Sequence, residues 1–139
     1  MLDASHRSRS VGGWLLVLCA LLLVWHPLSL GLSASAVLGR LPVRGLPLAL
    51  VLVMRLLVTA LGIAAGLALL TRRSAGVALA KAALVASAAT DLFVYATPFY
   101  PNNRLPGDTI WYVAWSLAYH GVWLAYLFRS TRVRYTYGE

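Results

Sequence analysis

The segment LPLALVLVMRLLVTALGIAAGLALL, residues 46–70, decides the fold, and Arg55 is its one charged residue. A bilayer core about 30 Å thick is crossed by about 20 apolar helical residues, so this segment can span a membrane with some tilt. Uninterrupted apolar runs also lack the alternating pattern of strands in a membrane barrel. The sequence therefore predicts a transmembrane helix over these residues.

Three further apolar segments flank this one, at residues 11–32, 75–97 and 109–128. Of the 139 residues, 60% are hydrophobic and 12% are charged, whereas an average soluble domain is about 45–50% apolar and about 25% charged. We therefore predict an all-α polytopic membrane protein. Residues 1–139 are expected to form one membrane domain, a bundle of four transmembrane helices joined by short connections.

The first segment has a second interpretation. A basic leader precedes residues 11–32, and the small residues SASA at 33–36 resemble a cleavage site, as in a secretory signal peptide. The segment is longer than the apolar region of about 7–15 residues that signal peptides use. A retained first span is therefore favoured.

Arginine residues predict the orientation of the bundle. With four spans, both chain ends share one side of the membrane, and positive residues collect on the cytoplasmic side. We therefore expect both ends to be cytoplasmic, and we attribute the net charge of +8 to membrane orientation rather than to nucleic-acid binding. The end side holds Arg7, Arg9, Arg72, Arg73, Arg129, Arg132 and Arg134, and the other side holds Arg40, Arg44 and Arg104.

Three ionisable residues fall in one layer of the predicted bundle. Counting helical rise from the outer helix ends places Arg55 about 13 Å deep, and Asp91 and His26 about 9 Å deep. Burying an ionisable group in hydrocarbon costs at least about 2.5–3.5 kcal/mol, so Arg55 and Asp91 are expected to form an ion pair. The cluster of all three is either a polar clasp that fixes helix register or a site that binds an anion or relays a proton. The clasp is favoured, because one arginine and one carboxylate satisfy each other.

Aromatic residues recur every four positions along the fourth segment, and His120 lies among them. An interfacial belt that also packs against the bundle is the favoured interpretation, and a surface for a ligand or a partner is the alternative. The surface in question consists of Trp111, Trp115, Tyr119, His120 and Trp123.

The same depth count argues against a cofactor. His120 lies about 16 Å deep, which is about 7 Å from the level of His26, whereas opposed axial ligands of a haem share one level. No set of metal ligands or catalytic residues stands out either. We therefore expect no cofactor, no metal site and no catalytic residues.

Small residues spaced by four predict which helices touch. Gly62 and Gly66 lie on one face of the second segment, and Ala78, Ala82, Ala86 and Thr90 lie along the third. Small residues allow close backbone approach between membrane helices. We therefore expect these two helices to touch.

The two ends of the chain carry recognisable motifs. Residues 10–16 read SVGGWLL, and residues 126–137 read YLFRSTRVRYTY. They resemble a family of uncharacterised bacterial inner-membrane proteins known as domain of unknown function 2569, in which Gly-Trp-Leu begins the first of four spans and Ser-x-Arg-Val-x-x-Thr-aromatic follows the last. The resemblance implies a bacterial inner-membrane location and no established activity.

The C-terminal motif also has a direct physical interpretation. Its basic and aromatic residues are expected to hold anionic lipid headgroups or to dock a protein partner. They are Arg129, Arg132, Arg134, Tyr135 and Tyr137.

Two functional hypotheses follow from these features. The main one is a structural or accessory subunit, or an assembly factor, of a larger inner-membrane complex, bound to other membrane subunits or to a second copy of itself. The alternative is a small-solute transporter or channel with its site at His26, Arg55 and Asp91. A cavity reachable by water at that layer would favour the alternative.

Overall fold

A computed structural model describes residues 11, 13–97 and 107–138. In these residues all regular structure is helical, which confirms the predicted all-α class. Four long helices follow one another along the chain: α1 (Trp14–Leu38), α2 (Leu41–Leu70), α3 (Gly76–Ala96) and α4 (Thr109–Arg129). A short helix, α5 (Thr131–Tyr137), ends the described chain.

Helices α1, α2 and α3 are long and apolar enough to cross a membrane. Helix α4 has 21 residues, the same length as α3, but its tryptophans, tyrosines and polar residues leave it short of the same apolarity. Large apolar side chains cover the outside of the bundle; Leu56 and Leu57, for example, are 59% and 65% exposed. Such an exterior fits a lipid environment.

Helix α1 continues six residues past the end of the predicted span, to Leu38 instead of residue 32. Ser33 and Ser35 do not end it, since their hydroxyls donate to the carbonyls of Ser29 and Leu32 at 2.8 Å each. The prediction of a loop from residue 33 was therefore wrong. The turn between α1 and α2 consists of Gly39 and Arg40.

A π-helical turn interrupts α1 at Leu21–Trp25, immediately before His26 and Pro27. Proline has no backbone N–H and cannot complete a regular helical ladder. The chain responds with a wider turn, in which the His26 N–H donates to the carbonyl of Leu21, five residues earlier. The irregularity that accompanies Pro27 is thus a π turn.

Helix α2 changes direction at Gly45, which has φ 64° and ψ −145°. Glycine tolerates this conformation, whereas other residues adopt it rarely. The uninterrupted part of α2 therefore begins at residue 46, as predicted. The bounds of α3 and α4 also agree with the predicted segments to within one residue at each end.

Gly62 and Gly66 are buried against α1. A Cβ atom on Gly66 would lie 2.8 Å from Leu23 Cγ and 3.4 Å from Leu22 Cβ. Both leucines belong to the π turn, so the glycines make room for it. Helices α2 and α3 also pack together, which confirms the predicted contact between them. Ala78 and Ala82 of the small-residue row are exposed.

The apolar core forms two clusters. The larger one contains Leu15, Leu18 and Leu22 of α1 with residues of every other helix, and the smaller one is formed by Val37, Leu48, Val51 and Val94. On α1, α2 and α3, polar residues lie between the residues of the two clusters. On α4, which contributes only to the larger cluster, the polar residues lie next to that cluster. The fold therefore places a polar layer between two apolar ones.

Helix α5 closes the end of the larger cluster. Val133 is fully buried, and the Tyr137 hydroxyl donates to the carbonyl of Leu69, near the end of α2, at 2.6 Å. Burial raises the pKa of Tyr137 to about 12, so the hydroxyl keeps its proton at neutral pH. Tyr137 therefore holds α5 against the end of α2, and its hydroxyl is not available to the predicted docking surface.

We expect Tyr137→Phe to lower the free energy of unfolding by about 0.5–1.5 kcal/mol, because Phe cannot donate the hydrogen bond to Leu69. Thermal unfolding in mild detergent measures the change. Tyr135→Phe is the matched control, since Tyr135 is 73% exposed on the same helix. An equal effect of the two substitutions would contradict this role of Tyr137.

Candidate functional site

A cavity of about 420 Å³ lies between the four long helices. This volume is within the range of about 300–1,000 Å³ that is typical of small-molecule sites. All four helices contribute to its walls. The lining residues are Trp25, His26, Ser29 and Leu30 of α1; Arg55, Val58 and Thr59 of α2; Ser87, Thr90, Asp91 and Tyr95 of α3; and Trp115, Ser116, Tyr119 and His120 of α4.

The structure brings the three residues of the predicted cluster to this cavity. His26 comes from α1, Arg55 from α2 and Asp91 from α3, and each is partly buried. All three therefore line the same cavity. The ion pair between Arg55 and Asp91 stays a prediction.

Two residue pairs on facing helices form a polar quartet: Ser87 and Asp91 on α3, and Ser116 and His120 on α4. The Ser116 hydroxyl donates to Asp91 Oδ2 at 2.8 Å, and His120 Nε2 lies 3.1 Å from Ser87 Oγ. Each pair is spaced by four residues, which places its members one turn apart on the same helix face. The quartet therefore links α3 and α4 at two successive turns.

The position of one proton on His120 follows from its partners. His120 Nδ1 lies 2.8 Å from the carbonyl oxygen of Ser116, an atom that can only accept a hydrogen bond. Nδ1 therefore carries a hydrogen. In the neutral ring Nε2 is then the acceptor, and it receives the hydrogen of the Ser87 hydroxyl.

Tyr119 connects His26 to the quartet. Its hydroxyl lies 3.3 Å from His26 Nε2, and its ring centroid lies 6.3 Å from that of His26 and 5.0 Å from that of His120. Polar and aromatic groups thus run from α1 across the cavity to α4. His26 and His120 therefore both lie next to the Tyr119 ring.

The sequence-based depth count separated His26 from His120, and the length of α1 explains why. Six additional residues move the end of the helix about 9 Å away, so His26 lies about 18 Å from the Leu38 end, close to the level counted for His120. In the sequence, a serine twice precedes an ionisable residue by four positions: Ser87 before Asp91, and Ser116 before His120. This repeated spacing is the signal from which the quartet could have been predicted.

The five residues of the predicted ligand or partner surface on α4 do not share one face. Trp111 and Trp115 are 77% and 75% exposed, whereas Trp123 and His120 are 9% and 4% exposed and Tyr119 is half-buried. Residues spaced by four rotate by about 40° per step around a helix of 3.6 residues per turn. The stripe therefore turns from the outside of the bundle into its core.

The basic C-terminal residues remain near the surface. Arg129 and Arg134 are exposed, as is Tyr135. The Arg132 guanidinium lies over Gly13, where it would meet a Cβ atom placed on that glycine. Anionic headgroups and partner subunits remain proposed ligands of this surface. Other residues used in the sequence analysis lie outside the described ranges: Arg7, Arg9, Ser10, Gly12 and Arg104.

Among residues 11, 13–97 and 107–138, no group of three or more His, Cys, Asp or Glu side chains is placed to hold a metal ion. Comparison of the chain with protein-family models, with curated proteins and with solved structures finds no match. The resemblance to the four-span family therefore rests on the two end motifs and stays a prediction.

Proposed function

We propose that this chain is a small-solute transporter or channel of the bacterial inner membrane, with four spans and both ends in the cytoplasm. The observation that carries the proposal is the cavity of about 420 Å³, to which each of the four long helices contributes ionisable or other polar residues. A cavity at this layer is the feature that separates the transport hypothesis from a closed clasp. The two histidines, Arg55 and Asp91 are its proposed solute-binding groups.

The hydroxyl groups of the cavity support a binding role. Ser29 and Thr59 line the cavity and make no side-chain hydrogen bond to any residue that the structure describes. Polar groups inside an apolar bundle are costly unless they meet a partner, so water or a solute is expected to satisfy them. A clasp alone gives these hydroxyls no partner.

Solute flux into proteoliposomes tests the proposal with urea, acetate and taurine as uncharged, anionic and zwitterionic probes. We expect at least one probe to cross about tenfold faster with the native chain than with Thr59→Trp, because an indole at this position fills part of the cavity. Ala60→Trp is the matched control, since Ala60 is exposed on the outside of α2. Equal flux of all three probes in the native and Thr59→Trp proteins would contradict the proposal.

The exposed side of α4 favours a second candidate function, that of an accessory subunit. Ile110 and Trp111 are each 77% exposed, and Trp115 is 75% exposed. Aromatic side chains are enriched at protein interfaces as well as at membrane boundaries. Mass spectrometry of the protein extracted in mild detergent tests this candidate: a stoichiometric partner supports it, and an isolated monomer counts against it.

A further inference from the structure

We propose that His120 is a proton-binding site of the cavity, and that Ser87 is the group through which a proton reaches it. The inference deepens the proposed function, because it names an ion whose binding would accompany solute binding. It rests on the proposed function, which requires that water reach the cavity. Three structural observations support it.

The first observation is that only one nitrogen of His120 can take up a proton. Nδ1 already carries a hydrogen, which it donates to the Ser116 carbonyl at 2.8 Å. A second proton must therefore bind at Nε2. Because Nδ1 keeps its partner in both states, protonation does not require the ring to turn.

The second observation is that Nε2 lies 3.1 Å from Ser87 Oγ, and that Ser87 lines the cavity. A proton from an acid in the cavity binds to Ser87 Oγ as the hydrogen of that hydroxyl moves to Nε2. The acid loses one proton, the serine is unchanged, and the imidazole gains one N–H bond and one positive charge. The hydroxyl then accepts from Nε2–H and donates into the cavity.

The third observation is a counter-charge close to the ring. The Ser116 hydroxyl lies 3.3 Å from His120 Nδ1 and donates to Asp91 Oδ2 at 2.8 Å, so it bridges the imidazole and a carboxylate. The bridge places the negative charge of Asp91 one hydroxyl group away from the imidazole. The other ionisable groups of the cavity are His26 on α1, Arg55 on α2 and the Tyr119 and Tyr95 hydroxyls, and of these only Arg55 carries a fixed charge, which is positive.

Charge balance links the proton to a solute. Among the described cavity residues, Arg55 and Asp91 contribute one fixed charge of each sign. A proton on His120 therefore adds a net positive charge to a site between apolar layers. An anionic solute would balance that charge, so the proton and a small monoanion are expected to bind together.

Nitrogen NMR of the full chain in lipid nanodiscs tests this inference. His6→Gln and His26→Gln together leave His120 as the one remaining histidine of three. We expect a neutral ring with its hydrogen on Nδ1 before acidification, protonation of Nε2 on acidification, and more protonated Nε2 with acetate than without it at the same pH. Ser116→Ala, which removes the bridge to Asp91, should leave less protonated Nε2 at the same pH.

Three results would overturn the inference: a neutral ring with its hydrogen on Nε2, an Nε2 that takes up no proton on acidification, or a protonated fraction that neither acetate nor Ser116→Ala changes. If the double histidine replacement does not fold, the same readings are taken on the native chain, with His26→Gln used to assign its signals. If a probe crosses the membrane but Nε2 takes up no proton, this inference is wrong and the proposed function is still supported. Protonation without flux defeats the proposed function instead.

Discussion

Asp91→Asn is expected to lower the free energy of unfolding by about 2–3 kcal/mol, because it leaves the Arg55 charge in a largely apolar bundle without its proposed counter-charge. Asn has nearly the same shape as Asp, and its carbonyl oxygen can still accept from the Ser116 hydroxyl. The loss therefore reports on charge and not on packing. Reversible unfolding in mild detergent measures it.

A double-mutant cycle connects this loss to Arg55. If the two side chains form the predicted ion pair, adding Arg55→Gln to Asp91→Asn removes both charges and recovers part of the stability. We expect a coupling free energy of at least about 1 kcal/mol between the two positions. Additive effects of the two substitutions would show that Arg55 and Asp91 do not stabilise each other.

Gly66→Leu is expected to lower the free energy of unfolding by about 1–3 kcal/mol, because the new side chain occupies space already filled by α1. Even the Cβ atom alone would lie 2.8 Å from Leu23 Cγ. The substitution therefore pushes the π turn away from α2. The same unfolding measurement checks this prediction.

Gly121→Leu is the matched control for Gly66→Leu. Gly121 is also helical, but a Cβ atom there meets no atom within 4 Å. The control should therefore be neutral or slightly stabilising, since glycine weakens a helix interior by about 0.5–1 kcal/mol relative to alanine. A loss as large at Gly121 as at Gly66 would mean that the close approach of α1 and α2 does not stabilise the fold.

Local sequence patterns were sufficient for much of this architecture. Apolar length alone gave the extents of α3 and α4, and it located the uninterrupted part of α2 beyond Gly45. The end of α1 was misplaced because Ser33 and Ser35 resemble turn residues. Their hydroxyls instead donate to carbonyls of the preceding turn, and the helix continues.

Contacts between helices were harder to predict. Gly62 and Gly66 form a motif that favours close packing, but the motif does not specify which helix approaches, and the π turn of α1 decides that. Similarly, Arg55, Asp91 and His26 were placed in one layer by counting helical rise, whereas His120 was excluded by the misplaced end of α1. The cavity itself depends on how four helices pack, which no single segment encodes.

The central claim is that water reaches a polar cavity inside a bundle with an apolar exterior. Cysteine accessibility tests it most directly, because the native cysteine, Cys19, is 1% exposed and can be replaced by Ala. In that background Thr59→Cys places a thiol on the cavity wall. Ala60→Cys places one on the exterior of α2, and Ala65→Cys places one in the core.

A water-soluble thiol reagent is applied to all three variants in lipid vesicles, since only a thiolate in contact with water reacts readily. The account predicts that Thr59→Cys reacts at least about tenfold faster than Ala60→Cys and Ala65→Cys. Reaction of Thr59→Cys at the rate of Ala65→Cys would contradict it, because the polar layer would then be closed to water.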